Sequence, residues 1–431
     1  MAFKNKVLLG FISYQEKVSM NLKLDTVLAY ALIIPYILSV GLAPKSTPFW
    51  LFTLIFIGLI SYLVLDLSKL KQVFYERAKN ILLWALLIVI IGSSFFSTIF
   101  TRYTTFPTYQ VHDIIIQQEA AIRFLLIGKN PYSEHYLETP LAKWRYSDNP
   151  NEKNPALWHF VMEPFYLLFS LPFYFISGRL FGYFDGRFPL IFLFFTTLFF
   201  AYKLIAEGEK KRSFLLLLAF NPSMIYYTLE GRSDYFMFGF LFAGFYFLFK
   251  EKLFLSAVLM AFAFAVKQSA WPLFPFYFAY LFFKHKNKIF KTLSLFSFTF
   301  ASVVLPFVLW NPKAFYKSTI LYLSGNTEFS YPISGYGFGM LLNQFGIIKD
   351  IHDKTFPFFI FQLVVGLPLL WFLIKYLKKN LSVKILVIVY GIFLFVYWYF
   401  SRYFNNNHIA FLSLLFTSAY FWPQKNEVVN K

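Results

Sequence analysis

Asp113 opens a segment of this 431-residue chain whose residue types and spacing suit acid–base chemistry. The apolar stretch 114–127 follows it and ends at Gly128-Lys129-Asn130-Pro131-Tyr132. Gly followed by Pro three residues later is typical of a helix end. We therefore expect a helix of about four turns, with Asp113 at its N-terminal end and Glu119 and Arg123 spaced i, i+4.

Asp113 has two interpretations at this point. In the first interpretation, Asp113 caps the helix, and Glu119 and Arg123 form a surface ion pair. Alternatively, it is a general base that takes a proton from a substrate hydroxyl, and partial dehydration near a membrane surface tunes its pKa. The second interpretation makes Asp113 a candidate catalytic residue.

A second acidic cluster is Glu230-Gly231-Arg232-Ser233-Asp234, which follows Asn221-Pro222. Its composition predicts a short turn between two helices. Glu230 and Asp234 either cap these helix ends or support the chemistry of Asp113.

Three basic side chains could bind a phosphate. Lys267 interrupts the apolar run 253–283, Arg402 follows the last long apolar run, and His408 lies six residues later. Cations in or against apolar segments are costly and usually functional. The alternative is that Lys267 and Arg402 anchor the chain at the interface by snorkelling.

Membrane-spanning helices must position these residues. The chain is 58% hydrophobic and only 14% charged, whereas soluble domains carry about 25% charged residues. Long runs without Asp, Glu, Lys or Arg cover 26–43, 49–65, 81–100, 292–310, 356–374 and 385–400. Shorter apolar runs cover 164–178, 188–202, 214–229, 235–249, 253–266, 268–283 and 409–422. Because a span needs about 20 apolar residues, we predict an all-α polytopic membrane protein forming one transmembrane domain, residues 1–431.

The positions of Lys and Arg predict the topology. Cytoplasmic loops carry an excess of these residues, and the pattern fits about 12 spans (11–13) with both termini cytoplasmic. The run 164–178 then lies on the outer leaflet. Three N-terminal spans occupy 26–100, and the long loops 101–163 and 311–355 face outward, the first containing amphipathic helices. Long loops in compact proteins are usually functional, so we expect the chemistry on the non-cytoplasmic side.

Several function classes are excluded. The net charge of +19 lies mostly in short loops between spans, so it follows topology and gives no reason to expect a nucleic-acid partner. The chain has no Cys, no Gly-rich phosphate loop, no His-Glu-x-x-His and no Gly-x-Ser-x-Gly. ATP-driven transport and these hydrolase classes are therefore not expected.

Five ordered elements resemble the GT-C superfamily of integral-membrane glycosyltransferases, and above all its polyprenol-phosphate-mannose-dependent mannosyltransferases. They cover most of 100–410 and are Asp113 to Tyr132; Asn221-Pro222 with Gly231 to Asp234; Ala265, Lys267 and Pro272; Ser334, Tyr336 and Gly337; and Arg402-Tyr403. The chain departs from the pattern of that family at two points. Ile115–Gln117 stands where such enzymes commonly have a tyrosine, and the hairpin 26–65 is an N-terminal addition.

The resemblance implies transfer of a hexose, mannose above all, from a polyprenyl-phosphate donor to a lipid or glycan acceptor, with inversion. Asp113 would be the general base, with Glu119, Glu230 and Asp234 as supporting acids. Lys267, Arg402 and His408 would bind the donor phosphate. Tyr132 and Tyr336 would contact sugar, as would Trp144 and Trp158. It implies no cofactor and no metal, and we expect a bacterial or archaeal plasma membrane.

The residues alone leave three other functions open. A transporter or lipid-linked-glycan flippase would place charge at the midplane of broken helices, and only Lys267 is of that kind. A polymerase that moves whole lipid-linked glycans would share the outer loops and the phosphate-binding cations. A non-catalytic assembly subunit is a third alternative.

Overall fold

The computed structural model of the protein describes residues 22–38, 47–148 and 152–424. The first lysines of the chain, the turn of the first hairpin and the C-terminal tail, which entered the topology prediction, lie outside these ranges. The helices are α1 (Leu24–Tyr36), α2 (Phe49–Leu67), α3 (Gln72–Thr104), α4 (Asp113–Leu126), α5 (Phe165–Leu168), α6 (Leu171–Phe181), α7 (Arg187–Leu204), α8 (Gly208–Ala219), α9 (Ile225–Glu230), α10 (Ser233–Phe249), α11 (Leu253–Phe264), α12 (Phe274–Lys284), α13 (Ile289–Trp310), α14 (Pro312–Tyr316), α15 (Tyr322–Ser324), α16 (Phe338–Gln344), α17 (Phe358–Lys379), α18 (Val383–Tyr399) and α19 (Asn406–Phe421).

Short helical turns and one small sheet complete the described structure. The 3₁₀ turns are Pro140–Lys143, Pro155–Leu157, Gln268–Leu273 and Lys286–Lys288, and Lys317–Leu321 is a π turn. Strands β1 (Ser334–Gly335) and β2 (Tyr403–Phe404) pair in parallel. The prediction of an all-α protein is confirmed.

Five helices in the described part of the chain are long and apolar enough to cross a membrane: α2, α3, α7, α13 with the turn before it, and α17. Five shorter apolar segments of 10–17 residues accompany them. The structure thus agrees with an all-α membrane protein. The run 164–178 forms α5 and α6, which together make one apolar segment of 17 residues, Phe165–Phe181.

The chain divides into two compact units: residues up to Ser94 with 207–220, and 95–206 with 221–431. The first unit has a buried ionic centre. Lys79 Nζ lies 2.7 Å from Asp66 Oδ1 and 3.5 Å from Asp25 Oδ2, and Arg212 contacts Asp25 and Glu76. Because buried charges persist only when they are paired, this network fixes the ends of α1, α2, α3 and α8.

The second unit contains every candidate site residue. In it α10 packs between α7 and α11, α11 packs on α13, and α18 packs between α17 and α19. Much of α10 is buried on all sides, which fits a central helix of a membrane bundle. Gly231, at φ +93°, ends α9 and allows the sharp turn into α10 that the sequence predicts.

Candidate active site

The helix that carries Asp113 is α4, and its observed bounds match the predicted ones. Gly128, at φ +76°, follows its end. The residue that caps the helix is His112, so Asp113 is the first helical residue and its carboxylate is directed elsewhere. The backbone N–H of His112 donates to the carbonyl of Glu230 at 2.8 Å, which ties the start of α4 to the turn before α10.

A buried ion network holds α4 in place. Arg102 makes a bidentate contact with Glu119, at 2.7 and 2.8 Å, and also donates to Asp185 at 2.6 Å. Arg187 makes a second bidentate contact with Asp185. Two cations thus balance two carboxylates away from water, and such a pair is strongly destabilised when one partner is removed. The expected Glu119–Arg123 ion pair does not form, because Arg102 binds Glu119.

The carboxylate of Asp113 is buried, accepts hydrogen bonds from two side chains and lies within ion-pair distance of a third. Its Oδ1 lies 2.7 Å from Nδ1 of His112, and its Oδ2 accepts from Asn154 Nδ2 at 2.7 Å and from the Tyr331 hydroxyl at 3.1 Å. Burial raises the pKa of Asp113, but the charge of His112 and these hydrogen bonds more than offset it and lower the pKa to about 2. The group is therefore an ionised acceptor at neutral pH.

Tyr331 connects Asp113 to Arg402. Its hydroxyl donates to Asp113, and its own backbone carbonyl accepts from Arg402 Nε at 2.9 Å. Burial holds the pKa of Tyr331 well above its usual value, so the hydroxyl stays protonated and donates. Tyr331 alone, with one hydrogen bond at each end, thus links the Asp113 carboxylate to the Arg402 guanidinium.

Arg402 is a cation held by carbonyl oxygens. Besides the Tyr331 carbonyl, it donates to the carbonyls of Asp353 at 2.5 Å and Ile351 at 3.5 Å. A guanidinium has five N–H donors, so these contacts leave two for a ligand. No carboxylate in the described part of the chain lies within ion-pair distance of Arg402, and burial lowers its pKa. An anion is its natural complement.

Lys267 and His408 lie near a shared carboxylate. Asp234 is buried and accepts from Lys267 Nζ at 2.6 Å and from Asn407 at 3.0 Å. His408 uses Nδ1 to accept the amide hydrogen of Asn405, so the neutral ring carries its proton on Nε2 and can donate there. Asp234 therefore positions and partly neutralises Lys267.

The small sheet joins two sequence elements that are far apart in the chain. Ser334 pairs with Tyr403 and Gly335 with Phe404, and the amide of Tyr336 donates to the carbonyl of Phe404 at 2.8 Å. This ladder holds the loop that carries Tyr331 against the segment that carries Arg402.

One cavity of about 1000 Å³ contains these groups. Its acidic wall, from residues 112–162, includes His112, Asp113, Trp144, Tyr146 and Glu152. Its basic wall, from residues 232–408, includes Arg232, Asp234, Lys267, Lys354, Arg402 and His408. The lining of the same cavity also includes seven apolar or aromatic side chains, here called the apolar groove: Trp271, Pro272, Phe356, Phe358, Phe359, Phe393 and Tyr397. An acid–base group, cations and an apolar groove thus share one space.

Five residues that the sequence singled out lie outside the cavity lining: Glu119, Glu230, Tyr132, Tyr336 and Trp158, whose ring stacks on Phe329 with the centroids 3.8 Å apart. Glu119 belongs to the ion network, and the Glu230 side chain pairs with Arg232 at 3.2 Å. Tyr132 is 3% exposed, and its hydroxyl donates to the carbonyl of Met162. Tyr336 is 65% exposed. The structure gives Tyr132 and Glu119 packing and ion-pair roles in place of ligand contacts.

Sequence reasoning missed four partners of the site. Asn154 and Tyr331 bond to Asp113 across 41 and 218 residues, and Arg232 lines the basic wall. Only His112 carried a local signal, as the neighbour of Asp113. In the described residues no group of three or more His, Asp or Glu side chains is placed to hold a metal ion.

Fold and cavity define the class as an all-α membrane protein with a large, charged and aromatic cavity. Comparison with protein-family models gives no match, and comparisons with curated proteins and with solved structures give none either. The function therefore has to come from the chemistry of the cavity.

Proposed function

We propose that the protein is an inverting membrane glycosyltransferase that transfers a hexose, with mannose the first candidate, from a polyprenyl-phosphate donor to an acceptor hydroxyl. The observation that carries the proposal is the arrangement around Tyr331. One tyrosine separates a buried ionised carboxylate, Asp113, from a guanidinium, Arg402, that has hydrogen-bond donors to spare. A sugar bonded to a phosphate fits between a base and an anion-binding cation.

The reaction would balance within the cavity. The acceptor oxygen forms a bond to the anomeric carbon, and its proton moves to the Asp113 carboxylate. The bond from that carbon to the phosphate oxygen breaks, and the lipid phosphate leaves with the electron pair. Arg402, with Lys267 and the Nε2–H of His408, would stabilise the charge on the leaving phosphate. Attack opposite the leaving group inverts the anomeric configuration.

The apolar groove supports a lipid-linked donor. Four of its seven side chains come from α17 and α18, which are apolar helices, and it belongs to the same cavity as the basic wall. A polyprenyl chain would lie in the groove with its phosphate at Arg402. We further propose about 12 spans, both termini in the cytoplasm and the cavity on the outer side of a bacterial or archaeal plasma membrane. The distribution of Lys and Arg supports this topology.

A donor panel tests the proposal. Purified protein in nanodiscs would receive polyprenyl-phosphate mannose, polyprenyl-phosphate glucose or GDP-mannose, each with a mixture of lipid and glycan acceptors. We expect transfer from a polyprenyl-phosphate sugar, with an inverted linkage by NMR, and none from GDP-mannose. Use of the nucleotide sugar, or retention of configuration, would contradict the mechanism.

A further inference from the structure

We propose that the acceptor is a neutral sugar, or a glycan ending in one, whose ring packs on Trp144 and directs a hydroxyl to Asp113. This inference rests on the proposed glycosyltransferase function and names the class of its second substrate. It depends on the acidic wall of the cavity, whose aromatic and charged groups differ from those of the basic wall.

Trp144 is a fixed aromatic platform beside Asp113. Its Nε1–H donates to the carbonyl of Val111 at 2.8 Å, and its ring centroid lies 5.9 Å from that of His112, the capping residue next to Asp113. The side chain is half-buried and lines the cavity. Because the indole is already held in place, little side-chain entropy remains to be lost when a ligand packs on it.

Tyr146 packs against the tyrosine that bonds to Asp113. Its ring centroid lies 5.9 Å from that of Tyr331, the tyrosine whose hydroxyl bonds to Asp113, and it too lines the cavity. A pyranose has an apolar C–H face that suits an aromatic ring and hydroxyls at its edge that suit a carboxylate. Aromatic walls with a few placed polar groups are typical of sites that orient a small ligand.

The charges of the acidic wall select a neutral ligand. Asp113 and Glu152 are its acidic residues, and its described lining contributes no Lys or Arg. The neighbouring Arg145 has a side chain that is 79% exposed, and it pairs with Asp148 at 2.7 Å outside the lining. His112 pairs with Asp113, so Glu152 leaves this wall with a net negative charge that disfavours a phosphate or uronate acceptor. In the proposed reaction, the cations of the basic wall bind the phosphate of the donor.

Saturation-transfer NMR on the protein in nanodiscs tests the inference without requiring turnover. The probes are methyl α-mannopyranoside and mannobiose, with methyl glucuronide as the anionic counterpart. We expect saturation of the neutral probes by wild type, loss of it in Trp144→Ala and partial retention in Trp144→Phe, which keeps an aromatic face. Trp371→Ala is the matched control, because Trp371 is 61% exposed on α17 and lies outside the cavity lining.

The outcomes separate this inference from the proposed function. Neutral-sugar binding that depends on Trp144, in a protein that transfers no sugar, supports the sugar site and overturns the transferase. Transfer of a hexose to an anionic or purely lipid acceptor supports the transferase and overturns the sugar site. Equal saturation of the neutral probes in wild type and Trp144→Ala, or glucuronide binding that needs Trp144, also overturns the site.

Discussion

Replacing Tyr331 with Phe should raise the pKa of Asp113 and shift the acid limb of the activity profile upward. The hydroxyl donates one of the three side-chain contacts that hold the pKa of Asp113 at about 2. A hydrogen bond to a charged group contributes about 1.5–3 kcal/mol, and about 1.4 kcal/mol corresponds to one pKa unit. At 3.1 Å the contact is long, so we expect a rise of about one unit, to about 3.

The sign follows from the role of a base. As the proposed base, Asp113 must be ionised to accept a proton, so activity is expected above its pKa and should be lost as the pH falls through it. Wild type should stay active to the lowest accessible pH, whereas Tyr331→Phe should lose kcat/KM at a pH about one unit higher. If the proposed acceptor hydroxyl takes the place of the Tyr331 contact in the complex, the acid limb of kcat should move less than that of kcat/KM.

Single-turnover transfer in nanodiscs between about pH 3 and pH 7 should give a flat profile for wild type and the onset of the acid limb in Tyr331→Phe. Tyr336→Phe is the matched control, because Tyr336 lies in the same loop, is 65% exposed and stays outside the cavity lining. An unchanged kcat/KM limb in Tyr331→Phe, with normal thermal stability, would refute the assignment of Asp113 as the base held by Tyr331.

Three further outcomes are expected. Glu119→Gln should lower the melting temperature strongly, because a broken buried ion pair costs about 3–5 kcal/mol. Arg123→Ala should change the melting temperature little, and equal effects of the two substitutions would contradict the Arg102 network. Burial raises the pKa of Glu163 from 4.5 to about 8, so the folded protein binds more protons than the unfolded chain and loses stability as the pH rises across that window. Glu163→Gln should flatten the fall of the melting temperature between about pH 5 and pH 8, and an unchanged slope would show that another group causes it. Arg402→Lys should lower kcat by about 10²-fold, because the ammonium lacks the guanidinium's fork of donors; full activity with lysine would exclude that fork from the reaction.

Local patterns were enough to predict the elements that carry the site. Periodicity and the Gly128 stop predicted α4, and the Gly231 turn between α9 and α10 was also expected. Asp113, Asp234, Lys267, Arg402 and His408, chosen from charge and position, all line one cavity. Charged residues next to apolar segments, where burying a charge costs free energy, therefore indicated which side chains line the cavity.

Long-range pairing explains what the sequence could not predict. Glu119 has Arg123 one helical turn away, yet Arg102 and Asp185 take part in its network from 17 and 66 residues away along the chain. Tyr331 reaches Asp113 only because the β1–β2 ladder joins two distant loops. Tyr132 matched a motif by type but packs in the core, since aromatic residues are as useful for packing as for binding.

The most direct test of the proposed reaction is transfer of radiolabelled mannose from polyprenyl-phosphate mannose by wild type and Asp113→Asn in nanodiscs, with donor binding measured in parallel. The substitution keeps the shape of the side chain but removes the basic carboxylate. We predict transfer by wild type, loss of transfer in Asp113→Asn and equal donor binding by both proteins. Undiminished transfer by Asp113→Asn, or donor binding without transfer by wild type, would contradict the account.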